Sequence, residues 1–516
     1  MPRIVLRSKA AKFHRVPGTM RWLILTATCS AALGSADAPR AYADDAPPLR
    51  EVTVDASLTV GELRPLSGVN GAPARELGRI ASPNAAAAAD VDGAPFYRAA
   101  RIDLVRTHNE FGPGDIDAHF GGDEGLVAVS ASRDALTIFP DMSADAEDPK
   151  SYNFAPTDRL VASIKAVGAQ PLFRIGRSSG AAADPPEDFD KYAAIVRHVV
   201  LHYNQGWDKG FRYNVRYWEL WNEPDSESSW AGSPLMYYSL YKKLALAIKS
   251  ADAAALVGGP GISKPLSAGA YREEFMDFVR LGRLPLDFFS WHFYTLDAND
   301  PHIFVSIARE LRTILDARGF GSTKNILDEW NADLFEGDMS KASQAAFAAS
   351  ALIYMLGGPI DAQTFYRGDA ALRAGSAGPD EVGHALTAFG ALQNTPILLR
   401  TSGGDDVGFA VVGGRSSNGR TLQVLISNYQ VMPKHVRPRA NAELQHLARS
   451  FDYHKNGGYD LTISMAAAGK YQVQRYRITD SINFSLVDQT RQSGQSIHLQ
   501  AALPPPAVEL IVVTTL

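Results

Sequence analysis

The sequence predicts an α/β protein, a (β/α)8 TIM barrel followed by an accessory C-terminal antiparallel β-sandwich. Three observations predict it. Between residues 65 and 395, short apolar runs alternate with stretches of helical periodicity, the signature of a parallel sheet. After about Pro396 the helical period disappears, and short strands are separated by Gly, Asn and Asp turns. Two of the apolar runs close on a glutamate, Glu223 and Glu329, at the strand end where barrels carry their chemistry. The length of 516 residues suits a barrel of about 250 to 330 residues plus one smaller unit. A 46 % hydrophobic and 21 % charged composition is ordinary for a chain with a sizeable core.

The elements follow in chain order. Residues 1–43 read as a signal peptide: Arg3, Arg7, Lys9, Lys12, Arg15 and Arg21 lead, an apolar run covers 22–33, and Ala41-Tyr42-Ala43 supplies small residues for cleavage after Ala43. The rival reading, a membrane anchor, needs about 20 apolar residues, more than this run offers. No later segment is long and apolar enough to span a membrane. The expected localisation is therefore secreted or periplasmic. Without the leader the net charge becomes −11, which disfavours a nucleic-acid or anionic-membrane binder. The sole cysteine, Cys29, lies inside the leader, so the mature chain has no disulfide and no thiolate metal site.

Residues 44–64 form an N-terminal segment whose alternating Glu51-Val52-Thr53-Val54 is a strand able to join the sandwich. The barrel spans 65–395, with strands expected at 68–70, 102–106, 170–175, 216–220, 256–259, 288–290, 325–327 and 360–365. Helices are predicted over 188–203, through Tyr192, Ile195, Val196 and Val199, and over 234–251, through Leu240, Leu244, Ala247 and Ile248. A third, Ala-rich helix over 343–356 stops at Gly357-Gly358-Pro359. The sandwich occupies 396–516, with strands starting at Phe409, Leu422, Tyr459, Tyr471 and Val508. Cleft or pocket is decided by the loops at 107–160 and 176–190, whose folding the sequence does not specify, and the oligomeric state is equally open.

The chemistry concentrates in two strings. Tyr217-Trp218-Glu219-Leu220-Trp221-Asn222-Glu223-Pro224-Asp225 is a buried strand ended by proline. A carboxyl group partly desolvated among aromatics has a raised pKa, as a general acid requires. Asn222 beside it can donate to a sugar hydroxyl. Asn325-Ile326-Leu327-Asp328-Glu329-Trp330-Asn331 is a second apolar strand closing on a carboxylate, three strands later. Two carboxylates about 5–5.5 Å apart across a bound sugar perform retaining glycoside hydrolysis. Asp328 is the rival nucleophile. Strand alternation turns its side chain opposite to that of Glu329, so only one of them is expected to face the site.

These strings resemble the clan of retaining (β/α)8 glycoside hydrolases, and within it glycoside hydrolase family 39, which holds β-xylosidases, α-L-iduronidases and some exopolysaccharide hydrolases. The matching residues are Arg106-Thr107-His108, the string 218–225, Ser290-Trp291-His292-Phe293-Tyr294 and Asp328-Glu329-Trp330-Asn331. The resemblance implies Glu223 as acid/base, Glu329 as nucleophile, and Asn222 on the sugar 2-hydroxyl. It implies His292 and Tyr294 as residues orienting the nucleophile or binding the glycone, with Arg106 and His108 lining the same subsite. Trp330, Trp221 and Trp291 are either core or sugar-stacking walls, and Trp330 is taken as substrate-binding. Where relatives carry a Trp floor after the eighth strand, this chain has Thr364-Phe365-Tyr366-Arg367, and Tyr366 is the smaller substitute.

The expected partner is an oligo- or polysaccharide, with no cofactor and no metal. A metal-dependent hydrolase would draw on His108, His292, Asp328 and Glu329, yet the chain has no His-x-His pair and no His-Glu-x-x-His. A non-catalytic carbohydrate-binding protein would need neither carboxylate.

Overall fold

The computed structural model describes residues 47–74, 92–108, 114–117, 137–177, 184–295, 299–332, 339–371, 378–432, 446–447 and 456–516. The signal-peptide reading of 1–43 lies outside the described residues, as do parts of both loops expected to shape the cleft. No helix among the described residues is long and apolar enough to cross a membrane.

Eight parallel strands close into a barrel: β2 (Gly68–Asn70), β3 (Leu104–Arg106), β4 (Gln170–Ile175), β5 (Tyr217–Leu220), β6 (Leu256–Ile262), β7 (Phe288–Tyr294), β8 (Lys324–Asn331) and β9 (Ala362–Phe365). Each expected strand is present. The fifth runs three residues, and the sixth and seventh four residues, further than the apolar stretch indicates, continuing the ladder to the rim. Leu104, Leu172, Phe288 and Ile326 plug the lower interior. Alternation then raises a polar tier above them: Asn70, Arg106, Arg174, Glu219, Ser290, Asp328 and Thr364, all buried.

The helices packed outside start at local signals. Those with predicted counterparts are α3 (Phe189–Asn204), α4 (Pro234–Ala251) and α7 (Lys341–Met355), after α1 (Ala94–Ala99) and α2 (Ala155–Ala166). Asp188, Ser233 and Ser340 cap the three by accepting backbone N–H bonds, and Pro234 opens its helix where no donor is lost. Between and after them lie α5 (Gly269–Leu281), α6 (Ile303–Ala317) and α8 (Glu381–Ala391). The alanines of α7 are buried almost throughout, because this helix lies between the barrel and the C-terminal sheet. Ser427 Oγ donates to Ala346 O at 2.8 Å, and Ser350 Oγ to Gly408 O at 3.1 Å, across that seam.

The second sheet has seven strands in the order β1-β10-β11-β12-β15-β13-β14, with β1 (Leu49–Glu62) also paired to β13. The C-terminal members are β10 (Ile397–Ser402), β11 (Phe409–Arg415), β12 (Thr421–Asn428), β13 (Gly458–Ile478), β14 (Asn483–Ala502) and β15 (Ala507–Thr515). The sheet folds over a separate core that includes Val52, Val54, Val424, Leu461, Val473, Ile497 and Ile511. Two expectations change. The sheet is mostly rather than wholly antiparallel, since β1 and β13 run parallel from Leu49↔Gly458 to Asp55↔Ser464. The strands expected at Tyr459 and Tyr471 are one, β13, continued through a register break between Ser464 and Gly469. Its partner β14 is an edge strand that is polar over most of its length, with buried apolar alternation confined to Ile497, Leu499 and Ala501, which hid it from pattern reading.

Candidate active site

The site grows from the polar tier. Arg106 ends β3 with no exposure and donates in several directions: Nε to Glu219 Oε2 at 2.6 Å, Nη1 to Glu329 Oε2 at 2.8 Å and Nη2 to Asn222 Oδ1 at 2.9 Å. Asp328 Oδ2 lies 3.1 Å from Nε, and Asn70 Oδ1 lies 3.3 Å from Nη1. Burial opposes the arginine charge, but Glu219, Asp328 and Glu329 outweigh it and hold the pKa above its ordinary value. A planar fork is the one cation shape that can serve so many acceptors at once.

Consecutive carboxylates reach this arginine because β8 bulges. Trp291 pairs with Leu327 and His292 with Glu329, so Asp328 is the extra residue. Ile326, Asp328 and Glu329 therefore face inward, while Leu327 and Trp330 face the helices. The alternation argument is corrected accordingly: both acids point into the barrel, Asp328 deeper. The same bulge removes Trp330 from the mouth. Its ring is wholly buried against Phe304 and Phe365, and its Nε1 donates to Gln363 Oε1 at 2.5 Å. Trp221 and Trp291 are likewise core.

Beyond β5 the chain turns over the barrel mouth through Trp221 (φ 77°) and Glu223 (φ 49°). Left-handed backbone at a non-glycine residue costs of order 1–3 kcal/mol and must be held by its surroundings. Trp221 Nε1 donates to Ser229 O at 3.0 Å, and its ring fits against Gly176, where a Cβ would come within 2.7 Å. Glu223 N donates to Gly261 O at 3.0 Å. Gly261 itself has φ 61°, and a Cβ there would lie 3.0 Å from Glu219 Oε1 and 3.3 Å from His292 Nε2.

Glu223 and Glu329 meet across this mouth. An oxygen of each lies within 4.8 Å of the other, with a nitrogen of His292 inside the same limit. His292 Nδ1 is 2.9 Å from Glu223 Oε1 and 3.7 Å from Glu329 Oε2. Tyr294 Oη donates to Glu329 Oε1 at 2.8 Å, so Arg106 and Tyr294 hold one oxygen of Glu329 each. The Glu223 side chain is 25 % exposed and that of Glu329 9 %, which makes Glu223 the more open of the two. Asn222 spends its carbonyl on Arg106, leaving its amide N–H groups as the end that can donate. His108 Nε2 is 4.0 Å from Glu329 Oε2, and the Tyr366 ring stands 6.2 Å from the rings of both His108 and Tyr294.

The protonation pattern differs from the expectation for Glu223. Burial does push its carboxyl upward, but the hydrogen bond from His292, its charge and that of Arg106 bring it below the ordinary value. Burial opposes the His292 charge in turn, yet Glu329 and Asp328 raise it well above an ordinary histidine. The proton therefore rests on His292, and the two groups titrate as a pair. Burial, reinforced by the charges of Arg106 and Arg174, holds His108 neutral. Glu219, His292 and Asp328 form a second cluster with ligand-type atoms within 4.8 Å. The cation these carboxylates share in the structure is the Arg106 guanidinium.

Sequence reasoning passed over Glu219, Ser290 and Asn70. Glu219 was legible as a charge inside an apolar strand, in phase with Tyr217 and therefore facing the barrel interior.

A closed parallel barrel with paired acids at the strand ends defines a barrel glycoside hydrolase. A sequence profile described as "Glycosyl hydrolases family 39" matches residues 131–329. A glucosidase from Croceicoccus marinus, solved as a crystal structure, is 31 % identical, with a TM-score of 0.78 over 91 % of this chain and 100 % of that one. The chain belongs to glycosyl hydrolase family 39. A β-xylosidase from Geobacillus stearothermophilus is 31 % identical over 197 residues, which span 34 % of this chain and only 38 % of that protein. The family 39 enzyme from Xanthomonas axonopodis pv. citri shares the fold, at 16 % identity and a TM-score of 0.64 over 93 % of this chain and 100 % of that one.

Proposed function

We propose that the protein is a secreted retaining glycosidase that cleaves O-glycosidic bonds of an oligo- or polysaccharide through a covalent glycosyl-enzyme. The observation that carries this reading is the approach of Glu223 and Glu329 to within 4.8 Å. That spacing suits direct attack by one carboxylate while the other protonates the leaving oxygen; inverting enzymes hold their carboxyl groups at about 6.5–9.5 Å to seat a water. Glu329 is the nucleophile because Arg106 and Tyr294 fix both its oxygens and burial limits its exposure. Glu223 is the acid/base because it is the more open and its proton partner is His292. As the glycosidic oxygen arrives, the proton of the Glu223–His292 pair passes to it from Glu223; in the second step Glu223 takes a proton from water. Asn222 would donate to the 2-hydroxyl, and His108 and Tyr366 would line the glycone subsite.

Relatives described as β-xylosidases and a full-length relative described as a glucosidase support pyranosides of the xylose and glucose series as the substrate class. Hydrolysis of aryl xylosides and aryl glucosides by the mature chain, with product configuration followed by NMR, tests the reading. Retained configuration and complete loss of turnover in Glu329→Gln are expected. Inverted product, or full activity in that variant, would refute it.

A further inference from the structure

Beneath the two mouth acids lies a carboxyl pair that the reaction as written does not use. Glu219 and Asp328 are both wholly buried, a carboxyl oxygen of each lies within 4.8 Å of the other, and neither oxygen of Asp328 accepts a hydrogen bond from a donor of the protein. Two buried carboxyl groups this close repel when both are charged, and a proton held by one of them relieves the repulsion and supplies the donor that Asp328 lacks. Ser290 Oγ donates to Glu219 Oε1 at 2.7 Å, and Arg106 Nε to Oε2 at 2.6 Å. Asp328 has only charge contacts, with Arg106 Nε at 3.1 Å and His292 Nε2 at 3.6 Å, and no hydrogen bond from either.

Every strand around the pair contributes a group. Asn70 of β2 donates to Asp328 O, and Thr364 of β9 donates to the same carbonyl. Arg174 of β4 pairs in register with Glu219 but carries its charge to Asp115, 2.5 Å away. Gly261 of β6 leaves room for Glu219 Oε1, and Tyr237 of α4 donates behind it to Leu220 O. His292 and Ser290 come from β7, Glu329 from β8, and Glu223 from the turn after β5. Two cations, Arg106 and His292, thus face four carboxyl groups. A pair carrying one negative charge leaves the cations enough attraction for the mouth acids. A doubly charged pair would draw Arg106 down and away from Glu329.

We propose that Glu219 is a positioning residue that stores one proton in its bond to Asp328, so that the singly charged pair keeps Arg106 on Glu329 and His292 charged against Glu223. The proposal rests on the retaining reading above. Burial, against the pull of Arg106 and with the charge of Asp328, raises the Glu219 carboxyl to about 8, while Asp328 is held at about 2. Loss of the stored proton then contributes to the alkaline limb of activity.

The test uses the mature chain labelled with carbon-13 glutamate, which separates glutamate from aspartate carboxyl bands in the infrared. At about pH 7 the wild type should show the carbonyl stretch of a protonated glutamate, fading as the pH passes about 8. Glu219→Gln, which keeps a donor toward Asp328 and an acceptor for Arg106, should lack the band. Its kcat/KM profile should lose that ionisation, the alkaline limb moving up by about one pH unit. Glu219→Ala should lower kcat across the whole range by about ten-fold or more, because Arg106 loses its deepest anchor. A wild type without a glutamate-derived band overturns the proposal and needs no folded variant. So does a Glu219→Gln profile with the wild-type alkaline limb. Neither result touches the hydrolase reading, which falls only with the Glu329→Gln control.

Discussion

Replacing Arg106 by lysine tests the site at its centre, because it keeps the charge and removes the fork. In the structure three different nitrogens of Arg106 reach Glu219, Glu329 and Asn222 at 2.6, 2.8 and 2.9 Å. A lysine ammonium is a single point with three donors and cannot stand at three sides of that plane. At least two of these bonds are lost, and bonds to charged groups contribute about 1.5–3 kcal/mol each. The expected loss of stability is therefore about 3–6 kcal/mol, similar to breaking a buried ion pair. Because no part of the side chain is exposed, solvent screening does not reduce the figure. Glu329 also loses the contact on Oε2, and a displacement of about 1 Å at a nucleophile is enough for a 10²-fold loss of rate. Aryl-glycoside kinetics and thermal melting on the same preparation measure both effects. A lysine variant with wild-type kcat/KM and melting temperature would show that charge alone suffices and that the fork is irrelevant.

Further outcomes follow from the same geometry. Glu223→Ala should lower kcat on unactivated glycosides by about 10²–10⁴ and spare activated aryl glycosides, whose leaving groups need little protonation; equal losses on both would remove Glu223 as the acid. The folded-state pKa of His292 is raised, so its contribution to stability is present below about 6.5 and declines as the pH rises through the folded value. Denaturation of wild type against His292→Asn should accordingly show a gap that narrows toward alkaline pH; a gap widening there contradicts the charged assignment. Trp330→Phe should lower the melting temperature, at about 1–3 kcal/mol, through the lost bond to Gln363, and leave KM within about two-fold. A large KM change would return Trp330 to the sugar cleft. Chelator treatment should leave kcat unaltered, since Arg106 occupies the place of a cation among the buried acids; inactivation reversed by an added divalent ion would reopen the metal reading.

The composition of the strands made much of this molecule readable without coordinates. Apolar runs of three to six residues, broken by turn residues and alternating with helical stripes, admit few arrangements other than a parallel barrel. The strings around Glu223 and Glu329 advertised themselves because a carboxylate at the end of an apolar strand has few structural reasons to be there. Less legible was β14, whose first two thirds are mostly polar because that part is largely solvated, leaving only Ile497, Leu499 and Ala501 to alternate as buried residues. Join and break in β13 were equally hidden, since Ala466 to Gly469 reads as a turn yet is an irregularity within one continuous strand.

What the sequence determined by itself is the order of elements and the inward-facing tier on straight strands, because those depend on a period of two along one chain. Tertiary structure alone decided the extra residue in β8. One unpaired position against β7 and β9 turns Asp328 and Glu329 inward together, sends Trp330 out to the helices, and sets Arg106 between acids from two strands. A bulge is a mismatch of register between neighbouring strands, and no single strand carries a record of its partner's register. The proton on His292 rather than Glu223 has the same origin: it is fixed by how many charges from β3, β7 and β8 converge on one buried point.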